Sequence, residues 1–268
     1  MPTSVVFVDA FADTVFRGNP AAVCVLEAPR PAGWMQELAA ELNLAATAFS
    51  EPRADGFGLR WFSPTAELAL CGHGTLASAH VLWETGRLAA EAPARFATAS
   101  GTLTAERQDG WIVLDLPAEP AVAAAAPPGL LESLGVGARW VGRNRLDYVV
   151  EVDDETAVAA VAPDLRALTA VDTRGVIVTA RASTPGVDFV SRFFAPRVGI
   201  PEDAVTGSAH CCLAPFWAAR LGRTTLTARQ LSARTGVLRT ELAGDRVRLG
   251  GRAVTVLRGE LLAAQPSR

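Results

Sequence analysis

Apolar residues dominate positions 3–9, the turn FRGNP follows at 16–20, and a second apolar run, AAVCVL, comes directly after it. Gly and Pro punctuate the ends of these runs, so the pattern predicts a strand hairpin at the start of the chain. Trp34, Leu38 and Leu42 then recur at the spacing of one helix face within PAGWMQELAAELNL, which predicts an amphipathic helix. ATAFSEP and FGLRWFSP return to strand-like patterning. The next segment, TLASAHVLWETGR, has small and apolar residues on all sides and stops at Gly86, the pattern of a buried helix.

Strands are expected near 96–104 and 111–116, after which PAEPAVAAAAPPG at 117–129 is rich in Pro and Ala and has no amphipathic period. It reads as a linker that divides the chain into an N-terminal lobe, residues 1–117, and a C-terminal lobe, residues 118–268. Beyond it the pattern predicts a short helix from Leu130 to Leu134, strands at 138–152 and 175–180, and a Pro/Gly loop at 196–201. A second small-residue helix, SAHCCLAPFWAARLG, and strands at 229–262 complete the chain. Gly74, Thr75 and Trp83 in the first half are echoed by Gly207, Ser208 and Trp217 in the second. Both helices carry an early Ala-His pair and end at Gly86 or Gly222, so the halves read as a two-lobed pseudo-repeat.

The composition is that of a soluble globular protein: 268 residues, half of them apolar and a fifth charged. A net charge of -3 gives no basic footprint for nucleic acid. Apolar stretches are too short to span a bilayer, which takes about 20 residues. MPTSVVFVDAF lacks the charged start and cleavage pattern of a signal peptide, so a cytoplasmic protein is expected. Cys24, Cys71, Cys211 and Cys212 have no CxxC spacing, which fits a reducing compartment. His73, His80 and His210 lack the spacing of a metal-binding helix, and no metal is expected.

Candidate chemistry gathers in CGHGT at 71–75 and EDAVTGSAH at 202–210. A Gly and a small hydroxyl residue at a helix start expose backbone N–H groups that favour a bound carboxylate. Thr75 and Ser208 equally suit plain N-caps. His73, between Gly72 and Gly74, is placed to reach a ligand. Asp203 either accepts a proton or orients its turn through an Asx-type bond. Cys71 is a candidate thiolate base beside His73, or a small buried hydrophobe.

VDAFADTVFRGNPAAVCVL, LRWFSPTAELALCGHGTLASAHVL, VGRNRLDYVVEV and FVSRFFAPRVGIPEDAVTGSAHCCLAPFW resemble the PhzF, or phenazine biosynthesis-like, family, and the likeness runs on to DRVRLGGRAVTVLRGEL. The resemblance implies an α/β (α+β) fold of two pseudo-symmetric lobes, each a curved, mostly antiparallel sheet around a central helix. This architecture is similar to that of diaminopimelate epimerase and proline racemase, with substrate in the cleft between the lobes. It also implies a cofactor-independent isomerase that moves a proton, commonly as a homodimer. By motif, the resemblance implies that Gly72, His73, Asp203, Gly207 and Ser208 line the site; catalysis is expected of Asp203, His73, Ser208 and Cys71, and substrate binding of Gly72, Gly74, Thr75, Gly207, Ala45, Ala46 and Asn19.

One departure stands out. The family pattern NLSET, whose Glu is expected to shuttle the proton, reads Asn43-Leu44-Ala45-Ala46-Thr47 here. A methyl group at Ala46 cannot act as a base. Three readings follow. The first is an isomerase in which Asp203, His73 or Cys71 moves the proton, with Cys71 as a single-thiol racemase base as one form of it; the second cysteine of proline racemase falls near Ala204 on aligning the TG dipeptide. The second is an isomerase moving a proton or double bond in a conjugated, amino-acid-derived cyclic carboxylate of specialised metabolism. The third is a ligand-binding pseudoenzyme. Thr235 in ARTGV is a further departure, at a place where the family often has Gly.

Overall fold

The computed structural model describes residues 3–262, and its chain divides into two compact units. The first comprises residues up to Leu114 together with those from Arg252 on; the second is Asp115–Gly251. The division differs from the one expected at 117/118 because the C-terminal strand belongs with the start of the chain.

The first unit opens with β1 (Ser4–Ala10) and β2 (Asn19–Val25), paired antiparallel from Val5↔Cys24 to Ala10↔Asn19 as a hairpin. Helix α1 (Ala32–Leu42) packs Met35, Leu38 and Ala39 inward and stops at Asn43, which takes the left-handed conformation. It carries the chain over to β3 (Ala46–Arg53), parallel to β2, and β3 turns back into β4 (Gly56–Phe62). After the short β5 (Glu67–Leu68) comes α2 (Gly72–Glu84), buried on nearly every side from Gly74 to Trp83. Then β6 (Ala94–Thr98) runs parallel to β4, and β7 (Gly101–Gln108) and β8 (Trp111–Pro117) follow antiparallel.

The second unit repeats this plan. The segment expected to be a plain linker contributes an edge strand, β9 (Val122–Ala123), which pairs with β10 (Trp140–Arg143). Its Glu119 N–H donates to Cys211 O at 3.1 Å, a carbonyl that has no intrahelical partner because Pro215, four residues on, has no N–H. Helix α3 (Leu130–Leu134) lies where the sequence places it, and β11 (Asp147–Glu151) completes a hairpin with β10. Two helices the pattern did not predict, α4 (Glu155–Ala160) and α5 (Leu165–Thr169), are capped by Asp154 and Asp164, each accepting a backbone N–H three residues on. They lead into β12 (Gly175–Arg181), parallel to β11, and β13 (Phe189–Phe194), a strand also missed. A single 3-10 turn, Pro196–Val198, precedes α6 (Gly207–Leu221), and β14 (Thr225–Gln230), β15 (Gly236–Ala243) and β16 (Arg246–Gly251) finish the unit.

The last strand, β17 (Ala253–Glu260), then pairs antiparallel with β1 from Ala10↔Ala253 to Ser4↔Glu260. Along the first sheet the order is β17-β1-β2-β3-β4-β6-β7-β8, and along the second β9-β10-β11-β12-β13-β14-β15-β16. Read in that order, both give antiparallel, antiparallel, parallel, antiparallel, parallel, antiparallel, antiparallel. The pseudo-repeat is therefore a repeat of pairing, with α2 and α6 in equivalent places. No helix among the described residues is long and apolar enough to cross a membrane.

Candidate functional site

Both central helices begin earlier than their composition predicts. Cys71 is the N-cap of α2 and Thr206 that of α6. This registers the two helix starts as Cys71 with Thr206, Gly72 with Gly207, His73 with Ser208, Gly74 with Ala209, and Thr75 with His210. The expected match of Gly74-Thr75 with Gly207-Ser208 is therefore two residues out of step. It also puts Thr206, not Ala204, opposite Cys71. The N-cap reading of Thr75 and Ser208 fails for the same reason, since both lie inside the first turn.

Equivalent positions carry equivalent bonds. Thr75 Oγ1 donates to Cys71 O at 2.7 Å, and His210 Nδ1 lies 2.8 Å from Thr206 O. In each helix the fourth residue after the cap thus ties its side chain back to the cap carbonyl, and both side chains are buried. Burial lowers the pKa of His210 from 6.5 to about 4 and keeps the imidazole neutral.

In the first unit the helix start carries titratable groups. His73 Nδ1 lies 3.4 Å from Asn19 Nδ2 and 3.6 Å from Cys71 Sγ, and its Nε2 lies 3.8 Å from the same sulfur. An amide nitrogen only donates, so a bond from Asn19 Nδ2 requires the His73 tautomer whose lone pair is on Nδ1. Asn19 is the buried first residue of β2, and Cys71 is 5 % exposed. Gly74 is set by packing: a Cβ there would stand 2.7 Å from Trp61 Cδ1 and 3.0 Å from Cys71 Sγ. The N–H groups of Gly72 and Gly74 fall in the first helical turn, which supplies them no intrahelical acceptor. Ala46 is fully buried at the first position of β3, while Ala45 before it is exposed.

In the second unit the helix start is held by a polar network. Asp203 Oδ2 accepts from Thr206 Oγ1 at 2.7 Å, a bond between side chains at the cap. Gln230 fixes the same turn: its Oε1 accepts from Thr206 N at 2.9 Å and its Nε2 donates to Asp203 O at 2.7 Å. Ser208 Oγ accepts from Arg174 Nη2 at 3.0 Å, and Arg174 also grips the buried carboxylate of Asp147, through Nε at 2.8 Å and again through Nη2. Arg174, Asp147 and Gln230 escaped the sequence reading. A charge between a strand and a parallel neighbour, as in DTRG at 172–175, was the available signal. Cys211 and Cys212 are core residues whose thiols burial pushes up to about 12.

Comparison with known proteins agrees with this architecture. The profile of the phenazine biosynthesis-like proteins, PhzC-PhzF, matches residues 8–259. An uncharacterized isomerase of Halalkalibacterium halodurans is 50% identical over 263 residues, covering 98% of this chain and 99% of that protein. A second uncharacterized isomerase, from Pseudomonas aeruginosa, is 47% identical over 262 residues, covering 97% and 99%. Among solved structures, a PhzF-family protein of Enterococcus faecalis superposes with a TM-score of 0.94 at 42% identity, covering 98% of this chain and 100% of that one. A hydroxyproline epimerase of Agrobacterium vitis shares the fold, with a TM-score of 0.64 at 14% identity over 99% and 95% of the two chains.

Proposed function

The chain belongs to the phenazine biosynthesis-like family, and from that premise we propose that it is a cofactor-independent isomerase that moves a proton, or with it a double bond, in a small cyclic amino-acid-derived carboxylate. The observation that carries this reading is the cluster at the start of α2, where His73 stands in reach of both the Cys71 thiol and the Asn19 amide. A proton carrier needs a titratable atom whose partner fixes which nitrogen holds the proton, and Asn19 does this for His73. The names of the relatives, isomerases in two bacteria, support the reaction class.

His73 becomes the leading proton carrier, with Cys71 as the group that exchanges protons with it. Asp203 is the weaker candidate, because its carboxylate already holds the Thr206 hydroxyl. With Ala46 offering only a methyl group, a substrate whose carbanion is delocalised by conjugation suits this site best. The test is incubation of the purified protein in deuterium oxide with saturated and partly unsaturated five- and six-membered ring amino acids, read by proton NMR. Deuterium should enter the ring carbon bearing, or conjugated to, the carboxylate, and His73→Gln should slow its entry by about 100-fold or more. Binding of a ring carboxylate with no incorporation by the unaltered protein would favour the pseudoenzyme reading instead.

A further inference from the structure

The start of α6 holds a cation at the wrong end of a helix. The N-terminus of a helix carries roughly half a positive charge, and arginine is favoured at the other end. Yet Arg174 donates to Ser208, the second residue of α6, and its position is fixed from several sides. Below it lies the Asp147 carboxylate, whose side chain is 1 % exposed and whose backbone N–H is held at 2.7 Å by Asn144 Oδ1. Beside it the Phe193 ring lies 5.5 Å from the guanidinium carbon. Gly175 makes room for that ring, since a Cβ there would stand 2.3 Å from Phe193 Cζ. Helix stability does not explain this arrangement.

Hydrogen-bond counting does. Arg174 Nη2 has two hydrogens; one goes to Asp147 and the other to Ser208. A guanidinium has no lone pair to offer, so Ser208 Oγ is the acceptor in that bond and its own hydrogen points elsewhere. Among the described residues the Ser208 hydroxyl has no acceptor of its own. The backbone N–H groups of Gly207, Ser208 and Ala209 have no intrahelical acceptor either, because they form the first turn. Arg174 thereby occupies one of the two lone pairs of the hydroxyl and leaves its hydrogen to be donated outward.

We propose that Arg174 is a positioning residue that turns the Ser208 hydrogen outward, so that this hydroxyl joins the first-turn N–H groups of α6 as a donor and favours a carboxylate over a neutral group of the same shape. The inference rests on the proposed role of Ser208 as a substrate contact. Asp147 cancels the guanidinium charge, so selection comes from hydrogen-bond polarity rather than from net attraction.

The experiment is calorimetric or NMR titration of the full chain with proline, pipecolate and anthranilate, each against its own amide. The unaltered protein should prefer at least one carboxylate to its amide by 10-fold or more. The paired change Arg174→Gln with Asp147→Asn strands no buried charge and withdraws from Ser208 Oγ the donor that turns its hydrogen outward. It should cut the preference about 10-fold while circular dichroism and Tm report an intact fold. On a Ser208→Ala background the same pair should change the preference little, since its route of action is gone. An equal loss with and without Ser208 would overturn the proposal, as would amides binding as well as carboxylates throughout. Because titration needs no turnover, a protein that binds carboxylates but incorporates no deuterium defeats the isomerase reading and leaves this one standing.

Discussion

The two units share one order of strand pairing and one central helix, yet they equip the start of that helix in opposite ways. In the first, the cap is a thiol, the second turn position an imidazole and the third a glycine; in the second these are a hydroxyl, a hydroxyl and an alanine. The strand behind follows suit. Arg174 and Gly175 lead into β12, and the guanidinium reaches the helix; Ala45 and Ala46 lead into β3 with methyl groups that have no polar atom to offer. A repeated fold thus supplies two mounts, one carrying a thiol and an imidazole and the other two hydroxyls held by a carboxylate and a guanidinium. Division of labour is written in side chains, while the backbone stays the same.

Exchanging residues between the equivalent positions tests how far that equivalence goes. The largest effect is expected at His210. It is neutral when folded, with a pKa of about 4, and returns to the ordinary 6.5 when unfolded. Between those values the unfolded chain binds the extra proton, so stability present above pH 6.5 is lost as pH falls toward 4, by about 3 kcal/mol. His210→Thr, which copies Thr75, should remove that acid sensitivity in urea denaturation followed from pH 7 to pH 4; an unchanged slope would mean that other groups cause it. Glu155, whose hydrogen bonds to Ser183 and Thr184 lower its pKa to about 2 against burial, acts in a separate window below pH 4.5.

Next comes Gly74→Ala, which copies Ala209. The new methyl meets the buried edge of Trp61, a ring with no room to swing, and the expected cost is about 2 kcal/mol. A cost near zero would show that the first helix start is no tighter than the second. The smallest effect has the opposite sign. Thr235 has a φ of 55°, where a β-branched residue is strained, and its N–H is held 3.1 Å from Ser232 Oγ. Thr235→Gly should raise stability by about 1 kcal/mol, measured by thermal unfolding. If stability falls, the threonine methyl is packed to a degree its backbone does not reveal.

Much of this was legible in the sequence. The opening hairpin, α1, the two buried helices and the two clusters at 71–75 and 202–210 follow from periodicity and punctuation. Helices α4 and α5 escaped because each is barely more than a turn, too short for a period to show, although the Asp154 and Asp164 caps were there to be read. Strand β13 escaped because FVSRFF is apolar on both faces and has no alternation. Arg174 and Asp147 escaped for a different reason. They lie 27 residues apart and meet only through the parallel pairing Asp147↔Gly175, a contact that no local pattern encodes. The registry of the helix starts was misjudged because it is set by which residue caps, and neither Cys71 nor Thr206 makes a side-chain capping bond that would announce it.

The return of β17 to β1 has a consequence for the newborn chain. Residues 4–10 leave the ribosome well before their outer partner, 253–260, which is made only after the whole of Asp115–Gly251. At synthesis rates of about 5–20 residues per second, the β1 edge waits roughly ten seconds or more with its N–H and C=O groups unanswered. During that interval the second unit can complete its own sheet, because all of its strands are contiguous. Until β17 is made the β1 edge stays open to edge-to-edge association, and a chaperone that shields a bare strand has a place to act there.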